Sequence, residues 1–278
     1  MNPRSFLSDA IRMVADPANI RREILRRSPR ALFSLRLRYD ALVRNDYAYG
    51  MYQAALQARA LNIPRLTAIE FGVFSGAGLR SMEQIAWCIK QEVGVGFDLY
   101  GFDTESGMPP PVDHRDMGFI WAPGLFAPRK PLCEVLKRAK MIVGNIADTV
   151  PGFCTAHNPP PIGFISIDVD YYSSTVAVLR LFDEPERFFI PRVFVYLDDT
   201  IGDDHELHGD FTGELAGVHD FNAAHPMRKI ARINGLRWKR RFPAAWNDQM
   251  FVAHLFDHSR YNEYTNPQWT PTPGASAS

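Results

Sequence analysis

The sequence has few cysteines, no long apolar run and no net charge, and each absence excludes a class of protein. Its cysteines, Cys88, Cys133 and Cys154, lie far apart and form no CxxC pair, which indicates reduced thiols rather than disulfides or a zinc site. No apolar segment reaches the roughly 20 residues that cross a bilayer. The N-terminus also lacks the apolar centre of a signal peptide. Together these features predict a cytoplasmic protein.

The composition is that of a globular chain. Of 278 residues, 46% are hydrophobic and 22% are charged, which argues against intrinsic disorder, collagen and coiled coil. The length predicts one large domain with at most a modest appendage.

Charge is unevenly distributed along the chain. Residues 1–65 contain twelve Arg, five acids and no Lys, a net charge of +7, so the remainder carries −7. A solvated helical face is the simplest interpretation, and a surface for an anionic substrate, a partner subunit or lipid headgroups is the alternative. A nucleic-acid partner is not expected, because aromatic residues do not alternate with the basic ones.

After Pro64, β-rich segments alternate with helical ones. Strands are predicted at 67–71, 99–103, 141–143, 162–167, 192–197, 229–233 and 250–256, and helices at 78–91, 131–138, 173–182 and 212–224. This alternation predicts an α/β fold, with a parallel sheet covered by helices on both faces.

The same patterns suggest three regions. We expect an Arg-rich helical N-terminal extension over 1–65, the α/β domain over 66–258, and a loose C-terminal tail over 259–278. The Pro-rich loop at 108–131, which contains Trp121, is long enough to act as a lid.

Ligands of such sheets bind beyond the carboxyl ends of the strands, and the first strand ends in a glycine-rich turn. Glu70 is followed by Gly72, Gly76 and Gly78, a spacing that differs from GxGxxG. Glycines let the backbone approach a ligand closely and start a helix. Because an acid would repel a pyrophosphate, Glu70 suits a cationic group such as an amino acid's ammonium. The alternative is a plain tight turn.

Two further strand ends carry candidate binding residues. Asp103 closes the second strand, where an acid can bind a ribose diol, but it lies 31 residues after Gly72 rather than the roughly 20 of a dinucleotide binder. After the third strand, Asn145 and Ile146 are placed to flank an adenine, and Asp148 is expected to cap a short helix.

Four carboxylates follow the fourth and fifth strands. Asp168 and Asp170 end one buried strand, and Asp198 and Asp199 end the next. At neighbouring strand ends such groups repel and raise each other's pKa. A divalent cation such as Mg²⁺, which takes carboxylate oxygens, would relieve the repulsion. Alternatively, each Asp caps a helix or turn.

In sequence order these segments resemble a known family. Glu-Phe-Gly-Val-x-x-Gly, Gly-Phe-Asp, Gly-x-x-x-Asp-Thr-Val-Pro, Asp-x-Asp-x-Tyr-x-Ser-Thr and Asp-Asp are similar to motifs of the class I S-adenosylmethionine-dependent methyltransferases. The branch that they most resemble is the metal-dependent sugar O-methyltransferases that act on macrocin and on the novobiocin deoxysugar. The resemblance covers about residues 65–256 and implies a Rossmann-like sheet, mostly parallel, with an antiparallel last strand.

The resemblance also implies roles for individual residues. The cofactor-binding residues would be Glu70, Gly72, Ser75 and Gly76 for the methionine part of S-adenosylmethionine, Asp103 for the ribose, and Asn145 and Ile146 for the adenine. The Mg²⁺ ligands would be Asp168, Asp198 and Asp199. Asp170 would be the general base for a sugar hydroxyl.

The sequence therefore predicts an O-methyltransferase that uses S-adenosylmethionine and Mg²⁺ and methylates a hydroxyl of a sugar, a glycan or another small vicinal diol. A nucleotide-dependent sugar oxidoreductase is a weaker alternative, because the glycine spacing differs and no Tyr-x-x-x-Lys pair is present. A non-catalytic binding module of the same fold is another, which the intact carboxylates disfavour. The Arg-rich segment would either form a homo-oligomer or cover the acceptor site.

Overall fold

The computed structural model describes residues 16–134 and 136–266 of the chain. Its seven strands belong to one sheet and are Arg65–Phe71 (β1), Gly96–Asp103 (β2), Lys140–Val143 (β3), Ile162–Ile167 (β4), Phe189–Leu197 (β5), Arg228–Arg232 (β6) and Met250–Leu255 (β7).

The sheet order is β3-β2-β1-β4-β5-β7-β6. Strands β1 to β5 are parallel, and β7 is antiparallel to both β5 and β6, so β6 points the same way as β1 to β5. Every residue of β4 is buried, as expected for a central parallel strand covered on both faces. The predicted Rossmann-like α/β fold, mostly parallel with an antiparallel last strand, is confirmed.

Helices pack around this sheet. They are Pro17–Arg26 (α1), Phe33–Arg38 (α2), Asn45–Ala60 (α3), Ala77–Val93 (α4), Ile146–Thr149 (α5), Phe153–His157 (α6), Tyr172–Leu179 (α7), Gly213–Ala224 (α8) and Leu236–Lys239 (α9). Helix α3 packs on α4 and on β4 and β5, whereas α7 and α8 pack on each other. Within the described ranges, no helix has the length and apolar character needed to cross a membrane.

The predicted helix at 131–138 is wrong. Of the described residues in this segment, Leu132–Glu134 forms a short 3-10 turn and the others form no helix. The backbone N–H groups of residues 137–139 donate instead to one oxygen of Glu83 on α4, at 2.5–2.9 Å. This side chain replaces the i→i−4 carbonyls that a helix would require.

Helix α3, from the Arg-rich segment, is part of the core. Tyr47, Met51 and Ala54 are fully buried, and a Cβ on Gly50 would lie 2.3 Å from the ring of Phe164 on β4. Glycine therefore allows this helix to lie directly on the sheet. Helical structure is present as expected from residue 17 onward, residues 1–15 lie outside the described part, and the domain boundary at 65 stays a prediction.

The chain after β7 is held against the sheet for as far as it is described. Arg192 on β5 donates to the backbone oxygen of Tyr261 at 2.7 Å and to Thr265 Oγ1 at 3.0 Å. Residues 267–278, which contain most of the Pro-rich part of the predicted tail, lie outside the described residues.

Candidate active site

The carboxyl ends of β1, β2, β4 and β5 surround a cavity of about 420 Å³, within the range that holds small ligands. All the sequence-predicted site residues except Gly76 line it: Glu70, Gly72, Ser75, Asp103, Asn145, Ile146, Asp168, Asp170, Asp198 and Asp199. The sheet thus brings together residues that are spread over 130 positions of the chain.

The turn after β1 requires glycine at its first position. Gly72 has a φ of 80°, and a Cβ there would lie 1.7 Å from the backbone oxygen of Asp168. The turn therefore passes in direct contact with the end of β4. Gly76, with a φ of 75°, is the N-cap residue directly before α4.

Glu70 is buried at the end of β1 and is held by a residue that sequence reasoning missed. The hydroxyl of Tyr47 on α3 donates to Glu70 Oε1 at 2.6 Å and accepts from Ser166 Oγ at 2.8 Å. Burial raises the pKa of Glu70 to about 7, although the Tyr47 hydrogen bond and the charge of Arg44 oppose the rise. Glu70 Oε2 is buried without a hydrogen-bond partner among the described atoms, so it can accept from a cationic ligand group.

Asp103 fixes the glycine turn to the end of β2. Its Oδ2 accepts from the backbone N–H of Val73 at 2.8 Å and of Phe74 at 3.0 Å, and its Oδ1 accepts from Glu105 N–H at 2.7 Å. A carboxylate offers about four acceptor positions, so one is left for a ligand hydroxyl.

The short helix after β3 is capped by a different residue from the predicted one. Asn145, not Asp148, is the N-cap, and its side-chain oxygen accepts from Ala147 N–H at 2.9 Å. Asp148 lies in the first turn, where its charge complements the helix dipole. Ile146 leaves an apolar side chain at the cavity wall.

Three carboxylates converge at the ends of β4 and β5. Ligand oxygens of Asp168, Asp198 and Asp199 lie within 4.8 Å of one another, the one such group of three potential metal ligands among the described residues. Burial, and then the charges of the other two acids, raises the pKa of Asp168 well above its ordinary value. Tyr196 donates to Asp198 Oδ1 at 2.7 Å. The cluster is therefore a concentrated site of negative potential.

Glu214, on α8, is a further acid that sequence reasoning missed. It is fully buried, and its two oxygens accept from the backbone N–H groups of Val169 at 3.3 Å and Asp199 at 3.1 Å. Burial, and then the charge of Asp199, raises its pKa well above the ordinary value. Glu214 thus ties the ends of β4 and β5 together. A Glu in the first turn of a helix is too common to have signalled this role.

Asp170 lies beside the three carboxylates in a left-handed backbone conformation, with a φ of 57°. Its N–H donates to Asp199 Oδ2 at 2.9 Å. Burial, followed by the charges of Asp168 and Asp198, raises the pKa of Asp170 to about 7. A carboxyl group with such a pKa is suited to accept a proton near neutral pH.

The loop at 108–131, predicted to act as a lid, lines the cavity and is hydrogen-bonded to α7. Asp116, in this loop, is fully buried and accepts from Val112 and Asp113 N–H and from Ser173 N–H at the start of α7, at 2.8–3.0 Å. Met108, Pro109, Trp121 and Phe126 of the same loop line the cavity. The loop therefore contributes apolar surface to a cavity that is otherwise rich in acids.

Arg44 is the one cation that lines the cavity within residues 16–134 and 136–266. Its guanidinium pairs with Asp46 at 2.9 Å and lies 3.9 Å from the centre of the Tyr47 ring. It comes from the Arg-rich segment and partly offsets the acids of the site.

Comparison with known proteins gives the fold. No protein-family model matches the sequence, and the curated proteins give no match. Among solved structures, the O-methyltransferase NovP is similar with a TM-score of 0.51, 14% identity, and coverage of 76% of this chain and 79% of that chain. The calicheamicin methyltransferase CalS11 gives 0.48 at 18% identity, covering 86% and 93%. The MycE methyltransferase, in complex with Mg and SAH, gives 0.37 at 14% identity, covering 80% and 52%.

The strand order, the antiparallel β7 and the similarity to NovP together define the class I methyltransferase fold. The resemblance stated from the sequence motifs is thus confirmed at the level of the fold.

Proposed function

We propose that the protein is a methyltransferase that moves a methyl group from S-adenosylmethionine to a hydroxyl of a sugar or another small vicinal diol, with the help of a divalent ion. One observation carries the proposal: a single cavity joins the glycine turn, the buried acid of β1 and the carboxylate cluster. The structural neighbour NovP is itself described as an O-methyltransferase.

The cavity fits S-adenosylmethionine at three points. Gly72 and Ser75 line the cavity where the methionine part would lie, and Glu70 offers its ammonium group a buried oxygen that has no hydrogen-bond partner among the described atoms. Asp103 keeps one acceptor position for a ribose hydroxyl. We assign the adenine to Asn145 and Ile146, of which Ile146 contributes the apolar contact.

The carboxylate cluster fits a hard divalent cation. Asp168, Asp198 and Asp199 supply oxygens, the ligands that Mg²⁺ prefers, at spacings that one ion can bridge. The raised pKa of Asp168 and of Asp199 shows that burial disfavours their charged forms, and a bound cation would favour those forms again. When bound, the ion would supply positive charge that lowers the pKa of an acceptor hydroxyl.

The residues of the chain then have two tasks. They align the acceptor oxygen with the sulfonium methyl, and alignment alone can contribute several kcal/mol to catalysis. Asp170, next to the cluster, accepts the hydroxyl proton as the carbon–oxygen bond forms and the carbon–sulfur bond of S-adenosylmethionine breaks, which leaves S-adenosylhomocysteine. Arg44 and the apolar loop that contains Trp121 also line the cavity, and the acceptor would lie against them.

Calorimetry with S-adenosylhomocysteine is the first test. Binding supports methyl transfer, binding of NAD(P) instead supports an oxidoreductase, and binding of neither supports a non-catalytic module. Labelled S-adenosylmethionine offered with a panel of sugars and catechol-like diols, with and without Mg²⁺, then identifies the acceptor class. Transfer that is indifferent to the metal would contradict the role given to the carboxylate cluster.

A further inference from the structure

The Arg-rich segment and a second basic segment, far away in sequence, form one surface. We call this surface the basic face and define it as residues 16–42 and 236–243. Arg22 on α1 donates to the backbone oxygen of Asp40 at 3.1 Å, and its guanidinium lies 4.7 Å from the centre of the Phe242 ring. Arg240 donates to the backbone oxygen of Leu37 at 2.6 Å and pairs with Asp40. These contacts join α1, α2 and the β6–β7 connection.

The charge of the basic face is concentrated and mostly unopposed. It holds eleven Arg and Lys residues against three acids, a net charge of +8. Arg30, Arg38, Lys239 and Arg241 are exposed and form no ion pair with any described residue. Positive charges that share one surface repel one another, so an anionic surface would stabilise them.

Large apolar side chains are exposed among these cations. Trp238 is 86% exposed, in the sequence Arg-Trp-Lys-Arg-Arg. Ile20 and Ile24 are exposed on α1, and Leu32 and Leu35 at α2. Exposed tryptophan and aliphatic side chains between arginines are the combination with which peripheral proteins enter the boundary between lipid headgroups and acyl chains.

The basic face adjoins the edge of the sheet that carries the cavity. Strand β6 points the same way as β4 and β5, so the chain that follows it lies beyond the edge where Asp168 and Asp199 stand. Gln249, at the end of this connection, donates to the backbone oxygen of Asp198. At the other side of the face, the chain continues from Asp40 to Arg44, which lines the cavity.

We propose that the basic face binds the surface of an anionic lipid bilayer. A second copy of the chain fits less well, because a two-fold interface would place this cationic surface against itself. A nucleic acid would offer phosphates but no apolar layer for Ile24, Leu32 and Leu35. The homo-oligomer predicted from the sequence and a nucleic acid are the competing occupants that the experiment must separate.

Vesicle co-sedimentation of the full chain tests the inference without reference to catalysis. The chain should bind vesicles of phosphatidylcholine mixed with phosphatidylglycerol, should lose that binding at high salt, and should not bind phosphatidylcholine alone. The double variant Lys239→Gln/Arg241→Gln should bind about 25-fold more weakly, since each cation at such a surface contributes about fivefold.

Matched variants control for charge and aromatic content. Lys137→Gln/Arg138→Gln changes the same number of exposed charges next to β3, at the opposite edge of the sheet, and should bind like the wild type. Trp238→Ala should weaken binding several-fold, whereas Phe256→Ala, at an exposed position just after β7 and at the opposite end of the strands, should not.

Other outcomes would overturn the inference. Absence of vesicle binding, or equal binding to neutral vesicles, excludes an anionic lipid surface. Self-association measured by light scattering that the Lys239→Gln/Arg241→Gln variant abolishes would assign the face to a second copy. Duplex DNA that binds more tightly than the anionic vesicles, and loses affinity in the same variant, would assign it to nucleic acid.

Discussion

The buried carboxyl of Glu70 predicts a pH dependence that one substitution should isolate. Its pKa is raised from 4.5 to about 7 by burial, which corresponds to about 3 kcal/mol of free energy for ionising it in the folded protein. Because the folded state holds this proton more tightly than the unfolded state does, the group favours folding at low pH. That contribution is lost as the pH rises from 4.5 to about 7.

Glu70→Gln keeps the shape of the side chain and removes the charge. Relative to wild type, the free energy of unfolding of this variant should therefore rise by about 3 kcal/mol between pH 4.5 and pH 7 and stay level above that. Urea unfolding of the metal-free protein at a series of pH values measures this difference. Glu134→Gln, at an exposed position, should follow the wild-type pH profile.

Ligand binding gives the second half of this prediction. If Glu70 holds the ammonium of the cofactor, S-adenosylhomocysteine should bind wild type more tightly as the pH rises through 7, because only the ionised carboxylate pairs with the cation. The Gln variant should lack that gain. If the free energies of unfolding of wild type and Glu70→Gln changed in parallel at all pH values, the argument would be refuted. Such a result would show that ionising Glu70 costs no free energy in the folded protein.

Three other perturbations test the site. Asp170→Asn should keep S-adenosylhomocysteine binding in calorimetry but lose methyl transfer, and normal turnover would exclude it as the base. EDTA should abolish methyl transfer, and added Mg²⁺ should restore it. The Asp199→Asn variant should bind Mg²⁺ more weakly in calorimetry. Activity that survives chelation would show that the carboxylate cluster has a structural role and not a metal-binding one. Gly72→Ala should destabilise the fold by several kcal/mol more than Gly94→Ala in urea unfolding. Both glycines have a positive φ, but only at Gly72 would a Cβ meet backbone, at 1.7 Å. Equal losses of stability in the two variants would contradict the close approach of the turn to Asp168.

Most of the fold followed from local patterns. The central strand was predicted at 162–167 and is Ile162–Ile167, because a short apolar run between turn residues has few other solutions in an α/β chain. The segment at 131–138 shows the limit of such reasoning. The segment has a helical residue pattern, but its backbone N–H groups bind the carboxylate of Glu83 on α4, a contact that is distant in sequence.

The sequence by itself determined that the acids at the ends of β4 and β5 meet. Parallel strands end at a common edge, so Asp168 and Asp199 had to lie near each other once the strand pattern was recognised. Only the tertiary structure decided what holds and tunes these groups: Tyr47 reaches Glu70 from 23 residues away, and Glu214 bridges the ends of β4 and β5 from α8. A local residue pattern predicts where a strand lies and where it ends. A buried hydrogen bond between elements depends on how the helices pack on the sheet, and local residue spacing does not determine that packing.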